Sequence, residues 1–205
     1  MLSVDERERA DRFLVPAPRE RFVVARGTLR EVLGRTIGRA PEQLRFAYPC
    51  VCGKPDCVPS RRKPRLELEP GLPPLRFNLS HTEGLAMLAV SIGQEVGIDV
   101  ERIDHDTAIR PIVERAFGTS DAAALRALPE AEQSEAFYRG WTRKEAYGKA
   151  RGYGFALPPD ELAEAERWWF RDLPAPSGYV AALAVEGRDC AVLTDTWRTA
   201  AEAPR

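Results

Sequence analysis

Two short stretches put charge where a fold would normally bury apolar side chains, and they constrain this chain more than any other feature. One is Gly97-Ile98-Asp99-Val100-Glu101; the other is Trp141-Thr142-Arg143-Lys144-Glu145-Ala146-Tyr147-Gly148-Lys149. Phe137, Tyr138 and Trp141 recur at helical spacing and predict a helix over about 133–150 with an apolar face. Glu145 lies four positions beyond Trp141, and Lys149 four beyond that, so both project from the aromatic face. Arg139, Arg143 and Ala146 are expected on the opposite, solvent side, and Gly152 and Gly154 stop the helix. An ordinary surface Glu/Lys pair at this spacing would contribute roughly 0.2–0.5 kcal/mol. A pair on a buried face needs partners instead, because burying unpaired charge is costly.

The first stretch reads as a strand. The apolar run 85–90 predicts one buried strand and 96–103 a second, in which Ile98 and Val100 face one way and Asp99 and Glu101 the other. Their backbones are about 7 Å apart, from where flexible side chains can converge on one ion. Asp is depleted in strands, although a half-exposed strand with a polar face also fits. Three carboxylates with no histidine or cysteine suit an all-oxygen site, hence Mg²⁺ rather than zinc. Lysine usage points the same way. Of 30 basic residues only Lys54, Lys63, Lys144 and Lys149 are lysines, so a retained lysine marks a place that needs a compact ammonium. A third stretch, Phe77-Asn78-Leu79-Ser80-His81-Thr82, reads as a turn ahead of the first strand. Its Asn and Ser offer short hydrogen-bonding groups, and His81 can donate to an anion.

Together the three stretches closely resemble the 4′-phosphopantetheinyl transferase superfamily, in its longer, pseudo-dimeric Sfp-type group. The resemblance covers about 3–158. Arg62-Lys63-Pro64 looks like that family's Gly-Lys-Pro element with Arg62 replacing glycine, and Gly53-Lys54-Pro55 is a more distant candidate. Residues 5–13 and Arg21 resemble its basic N-terminal helices, ahead of which the family usually carries a further strand segment. The resemblance implies an α/β (α+β) fold of two similar halves, 1–94 and 95–205, related by a pseudo-two-fold with the active site between them. It implies transfer of the 4′-phosphopantetheine arm of coenzyme A to a serine of an apo acyl or peptidyl carrier protein, releasing adenosine 3′,5′-bisphosphate. Carried over residue by residue, Asp99, Glu101 and Glu145 hold Mg²⁺, Lys149 holds the pyrophosphate region, and Glu145 helps deprotonate the serine, directly or through a metal-bound water. Arg9, Arg21, Lys63, Ser80 and His81, with Asp99 and Lys149, match positions that contact coenzyme A. A pseudo-dimer also implies a monomer.

Other features bound this reading. The chain has 205 residues, 44% hydrophobic content and a net charge of −1, so no basic excess points to nucleic acid. No apolar run reaches membrane-spanning length, and Met1-Leu2-Ser3-Val4-Asp5 does not read as a signal peptide; both point to a cytoplasmic protein. Cys50, Cys52 and Cys57 crowd one Pro-rich loop, but three candidate ligands without a fourth nearby favour reduced thiols over zinc. Trp168-Trp169-Phe170 reads as core or strand. A catalytically inactive relative that binds coenzyme A or a carrier protein is the competing function. An unrelated Mg²⁺-dependent phosphotransferase is disfavoured by the absence of a Walker loop or kinase motif.

Overall fold

A computed structural model describes residues 1–50, 62–107, 109, 111–113, 117–153 and 166–196. It is an α+β protein. In chain order it has α1 (Val4–Asp11), α2 (Pro16–Ile37), β1 (Phe46–Ala47), β2 (Arg65–Leu66), β3 (Leu75–Thr82), β4 (Leu85–Ile92) and β5 (Val96–Arg102). Then follow α3 (Thr119–Arg126), α4 (Glu130–Arg151), β6 (Trp168–Leu173) and β7 (Tyr179–Glu186). No helix among the described residues is long and apolar enough to cross a membrane.

The chain divides into two compact units. One contains Met1–Ala47 and Leu66–Leu72 together with the described residues after Asp189. Ser3 opens α1 with a capping box, its hydroxyl taking the Glu6 N–H while the Glu6 carboxylate takes the Ser3 N–H. Glu6 is buried and also accepts from Arg26 Nε at 2.9 Å and Arg30 Nε at 2.5 Å. Arg30 spends a further nitrogen on Pro41 O and Leu44 O. Burial alone would raise the Glu6 pKa, but the Arg30 hydrogen bond and the Arg26 charge outweigh it and hold the carboxyl below its ordinary value. Arg9 stacks over Phe22, and Arg21 donates to Ala17 O; both are exposed.

The other unit comprises the described residues of Tyr48–Arg65 and Pro73–Asp189. β3 and β4 form an antiparallel hairpin turned at Glu83-Gly84, where Gly84 takes a positive φ of 76°. β5, β7 and β6 form an antiparallel sheet in that order. β5 is buried from Val96 through Val100, on both faces. α4 crosses one of them. Its first half packs Phe137, with Tyr138 and Trp141, against Ile109, Val113 and Ala122. Its second half packs Ala146, Tyr147 and Ala150 on Ala182 and Ala184 of β7, with Trp168 and Phe170 of β6 edge-on to Tyr147. The aromatic block is therefore strand and core, as its composition suggests.

The helix runs slightly longer than the periodicity predicts, and Gly152 ends it in the left-handed conformation at φ 82°. Ala146 corrects the sequence reading: it is 0% exposed, not on the solvent side. The reason lies in small residues beneath it. A Cβ at Gly97 would overlap Ala146 O and sit 2.5 Å from Ala150 N, so the helix backbone rests directly on the strand. A second correction concerns Phe77-Asn78-Leu79-Ser80-His81-Thr82, which is strand β3 and not a turn. Leu75 and Phe77 bury one side, and its polar residues serve the neighbouring strand.

Candidate active site

Among the described residues, β5 pairs with β7 on one side only. On its other side, side chains of β3 supply hydrogen bonds that a paired strand would otherwise make. Asn78 Oδ1 accepts from Ile98 N at 2.9 Å, and Ser80 Oγ accepts from Val100 N at 3.4 Å. Asp99 lies between these two rungs, 2% exposed. The α4 face brings Lys149 to it: Lys149 Nζ lies 2.5 Å from Asp99 Oδ1 and 2.9 Å from Ser80 Oγ. Ser80 donates its own proton to Asp99 Oδ1 at 2.9 Å. Ser80 is therefore fully engaged inside the protein, with one hydrogen donated and two accepted.

Glu145 sits one turn before Lys149 on the same helix face, 5% exposed. Burial, and then the charge of Asp99, push its pKa up to about 7 against the pull of Lys149 and Lys144. Glu101 is half-buried and also raised, by burial and then by Asp99, with Lys149 and a hydrogen bond from Trp141 opposing. The three carboxylates thus feel one another across the helix–strand seam. Asp99 Oδ2 and Glu145 Oε2 are buried with no hydrogen-bond partner among the described residues. Two orphaned acceptors and an oxygen-only donor set fit a hard divalent cation. Among the described residues no three His, Cys, Asp or Glu side chains are gathered closely enough to form a finished metal site.

The remaining expected site residues divide. Lys63 is buried and donates to Glu95 Oε2 at 2.7 Å, Val96 O at 2.8 Å and Ala150 O at 2.9 Å. A direct contact to an outside anion would require breaking one of these bonds. His81 is exposed on β3. Arg9 and Arg21 belong to the other unit. Cys50 is exposed, while Cys52, Cys57 and Lys54 lie outside the described residues. The sequence offers Asn78 as a short hydrogen-bonding group but gives no role to Gly97 or Glu95. Gly97 and Asn78 stood inside the quoted motifs, but close backbone approach and a side-chain rung are visible only once the strands are paired.

A profile described as the 4′-phosphopantetheinyl transferase superfamily matches residues 95–184, a span containing β5, α4, β6 and most of β7. The chain is 36% identical over 197 residues to the 4′-phosphopantetheinyl transferase HetI of Nostoc sp., covering 91% of this chain and 79% of that protein. It is 28% identical over 162 residues to the 4′-phosphopantetheinyl transferase Sfp of Bacillus subtilis, covering 79% of this chain and 65% of the other. Over 79 residues it is 40% identical to the 4′-phosphopantetheinyl transferase AcpT of Salmonella typhimurium, covering 38% of this chain and 41% of that protein.

Proposed function

This chain belongs to the 4′-phosphopantetheinyl transferase superfamily, and from that premise we propose that it transfers the 4′-phosphopantetheine arm of coenzyme A to a serine of an apo acyl or peptidyl carrier protein. One observation carries the reading: Asp99, Glu145 and Lys149 face one another across a buried seam that leaves two carboxylate oxygens without donors among the described residues. Asp99, Glu101 and Glu145 would hold Mg²⁺, which when bound would neutralise charge on the pyrophosphate oxygens of coenzyme A.

The chain's own residues do the rest. Lys149, at the mouth of the seam with 23% of its side chain exposed, pairs with the pyrophosphate. Glu145, buried beside Asp99 with one oxygen lacking a donor among the described residues, is the carboxylate that takes the serine proton. The serine oxygen bonds to the phosphorus that carries the pantetheine arm as the pyrophosphate bridge breaks. Adenosine 3′,5′-bisphosphate leaves with the electron pair. Ser80 holds Asp99 and Lys149 in register, and His81 supplies an exposed donor for coenzyme A; for Arg9 and Arg21 that role rests on the family membership. Two similar halves, 1–94 and 95–205, belong to the same reading, and they rest on the family membership. A monomeric, cytoplasmic enzyme completes it.

The test is mass spectrometry of apo carrier proteins incubated with the purified protein, coenzyme A and Mg²⁺. The expected result is a gain of one phosphopantetheine on the carrier, abolished by chelation. Coenzyme A binding without any mass gain across a panel of fatty-acid, polyketide and peptide carriers would leave a binding relative in place of a transferase.

A further inference from the structure

Lys63 is a buried cation that the proposed chemistry does not use. Its side chain is 6% exposed, and its three ammonium protons are all taken, by Glu95 Oε2, Val96 O and Ala150 O. These acceptors come from the residue before β5, the first residue of β5 and the next-to-last residue of α4. We infer that Lys63 is a positioning residue for the transfer reaction and not a ligand of coenzyme A: its ammonium pins the C-terminal end of α4 to the start of β5, and so fixes Lys149 against Asp99. The inference rests on the transferase reading.

Three observations support it. First, the pinned carbonyl belongs to Ala150, the residue next to Lys149, while the pinned strand carbonyl belongs to Val96, three residues before Asp99. A shift of helix on strand at the clamp passes directly to the Lys149–Asp99 contact. Second, the seam between clamp and site has no slack. At Gly97 the helix backbone already lies on the strand, so α4 can slide or tilt there but cannot be cushioned by a side chain. Third, the acceptor set calls for a lysine. Carbonyls at a helix C-terminus lack partners within the helix and favour a cation. Three acceptors converging on one nitrogen suit a compact ammonium, whereas a planar guanidinium spreads its donors. In a chain whose basic residues are otherwise nearly all arginine, that explains why this position keeps a lysine. Glu95 balances the buried charge and is itself held by Arg65 and Arg76, each 2.8 Å away.

The experiment is a double-mutant cycle in the full chain: Lys63→Met, Lys149→Met and the double variant. For each, kcat and KM for coenzyme A are measured with a responsive carrier protein, well below the melting temperature of the least stable variant, and coenzyme A affinity is measured by calorimetry. The expected result is a 10–100-fold loss of kcat in Lys63→Met, the scale of a small misplacement of a reacting group. Coenzyme A affinity should change less than about threefold, and the further loss in the Lys149→Met background should also be less than about threefold. An affinity loss of tenfold or more, or additive losses in the cycle, would make Lys63 a direct ligand and overturn the inference. A lowered melting temperature with unchanged kcat would make it structural only, and overturn it as well. Should Lys63→Met not fold, Glu95→Gln, which keeps both carbonyl acceptors, replaces it in the same cycle with the same expected pattern. Absence of transfer by the wild-type protein would remove the reaction and the inference together, whereas additive losses in an active enzyme would remove the inference alone.

Discussion

The two ends of the seam between α4 and β5 treat a buried carboxylate in opposite ways. At the clamp end, Glu95 faces Lys63, Arg65 and Arg76, each within 2.8 Å. Burial pulls its pKa up, but those cations, Lys63 foremost, hold it below the ordinary carboxylate value. At the other end, Lys149 bonds to Asp99 and reaches Glu101 and Glu145 through its charge, joined at Glu145 by Lys144, and Glu145 is still pushed up to about 7. The same helix and strand thus hold one acid that is over-compensated and a group that is under-compensated. A buried ion pair contributes little net stability, yet leaving charge uncompensated is costly. The first arrangement is what a fold uses to fasten itself. The second is relieved by a proton kept on Glu145 or, in the proposed reaction, by a cation from outside, and that difference separates the two ends of the seam.

The largest expected effect comes from removing charge at the under-compensated end. Asp99→Asn keeps the volume and one acceptor oxygen but deletes the charge that Lys149 meets. It should lower kcat by on the order of 10³-fold while far-UV circular dichroism stays unchanged. Activity within tenfold of wild type, with Mg²⁺ dependence intact, would show that Asp99 belongs with Glu95 as a fastening group.

Next comes the contact between the two ends. Gly97→Ala sets a methyl group against Ala146 O and Ala150 N, both backbone atoms that cannot swing aside. The expected loss is about 3 kcal/mol or more in urea unfolding, at the upper end of what overpacking costs. A loss under about 1 kcal/mol would mean the helix floats on the strand, and the two ends would then be mechanically independent.

Much of this seam was legible in the sequence, because periodicity reports faces. Helical spacing from Phe137 to Lys149 put Glu145 and Lys149 on the buried side, and alternation put Asp99 and Glu101 together. What stayed hidden depended on partners distant in the chain. A single apolar face puts Ala146 toward solvent; Gly97, Ala182 and Ala184 let a second face close in. The β3 segment reads as a turn because Asn78, Ser80 and His81 are polar. The alternation of Leu75, Phe77 and Leu79, followed by Glu83-Gly84, was the available strand signal. Lys63 carried a family expectation of ligand contact, and nothing local shows that its acceptors lie in β5 and α4. Three ordered motifs made the family legible; the inward use of Ser80 and Lys63 was not.

A third expectation uses pH to compare the ends. Glu145 has a folded pKa raised from 4.5 to about 7, so between those values the native state keeps a proton that the unfolded chain has released. In metal-free protein, stability should therefore fall as pH rises across that window, by roughly 2–3 kcal/mol relative to Glu145→Gln. The two curves should run parallel below about pH 4.5 and again above about pH 7. Glu95 has the opposite sign: its lowered pKa contributes stability that is present above its ordinary value and lost as pH falls through the depressed one. Adding Mg²⁺ at pH 8 should recover part of the loss in wild type and little in Glu145→Gln. Parallel curves at every pH would show that Glu145 is not electrostatically strained.

The smallest expected effect tests how the strand is held from the β3 side. Asn78 Oδ1 accepts one hydrogen bond, from Ile98 N, and Asn78 is only half-buried, so water can replace part of what Asn78→Ala removes. A hydrogen bond of this kind contributes about 1 kcal/mol net. The variant should lose about that much stability, exchange the Ile98 amide faster than wild type by hydrogen exchange, and keep kcat within about fivefold. The reason for the modest kinetic effect is that Asp99 remains tied through Ser80 and Lys149, which do not depend on Asn78. A large fall in kcat with little loss of stability would reverse this, making the Asn78 rung part of the reactive end. It would also mean that β3, and not the α4 clamp, sets where Asp99 stands.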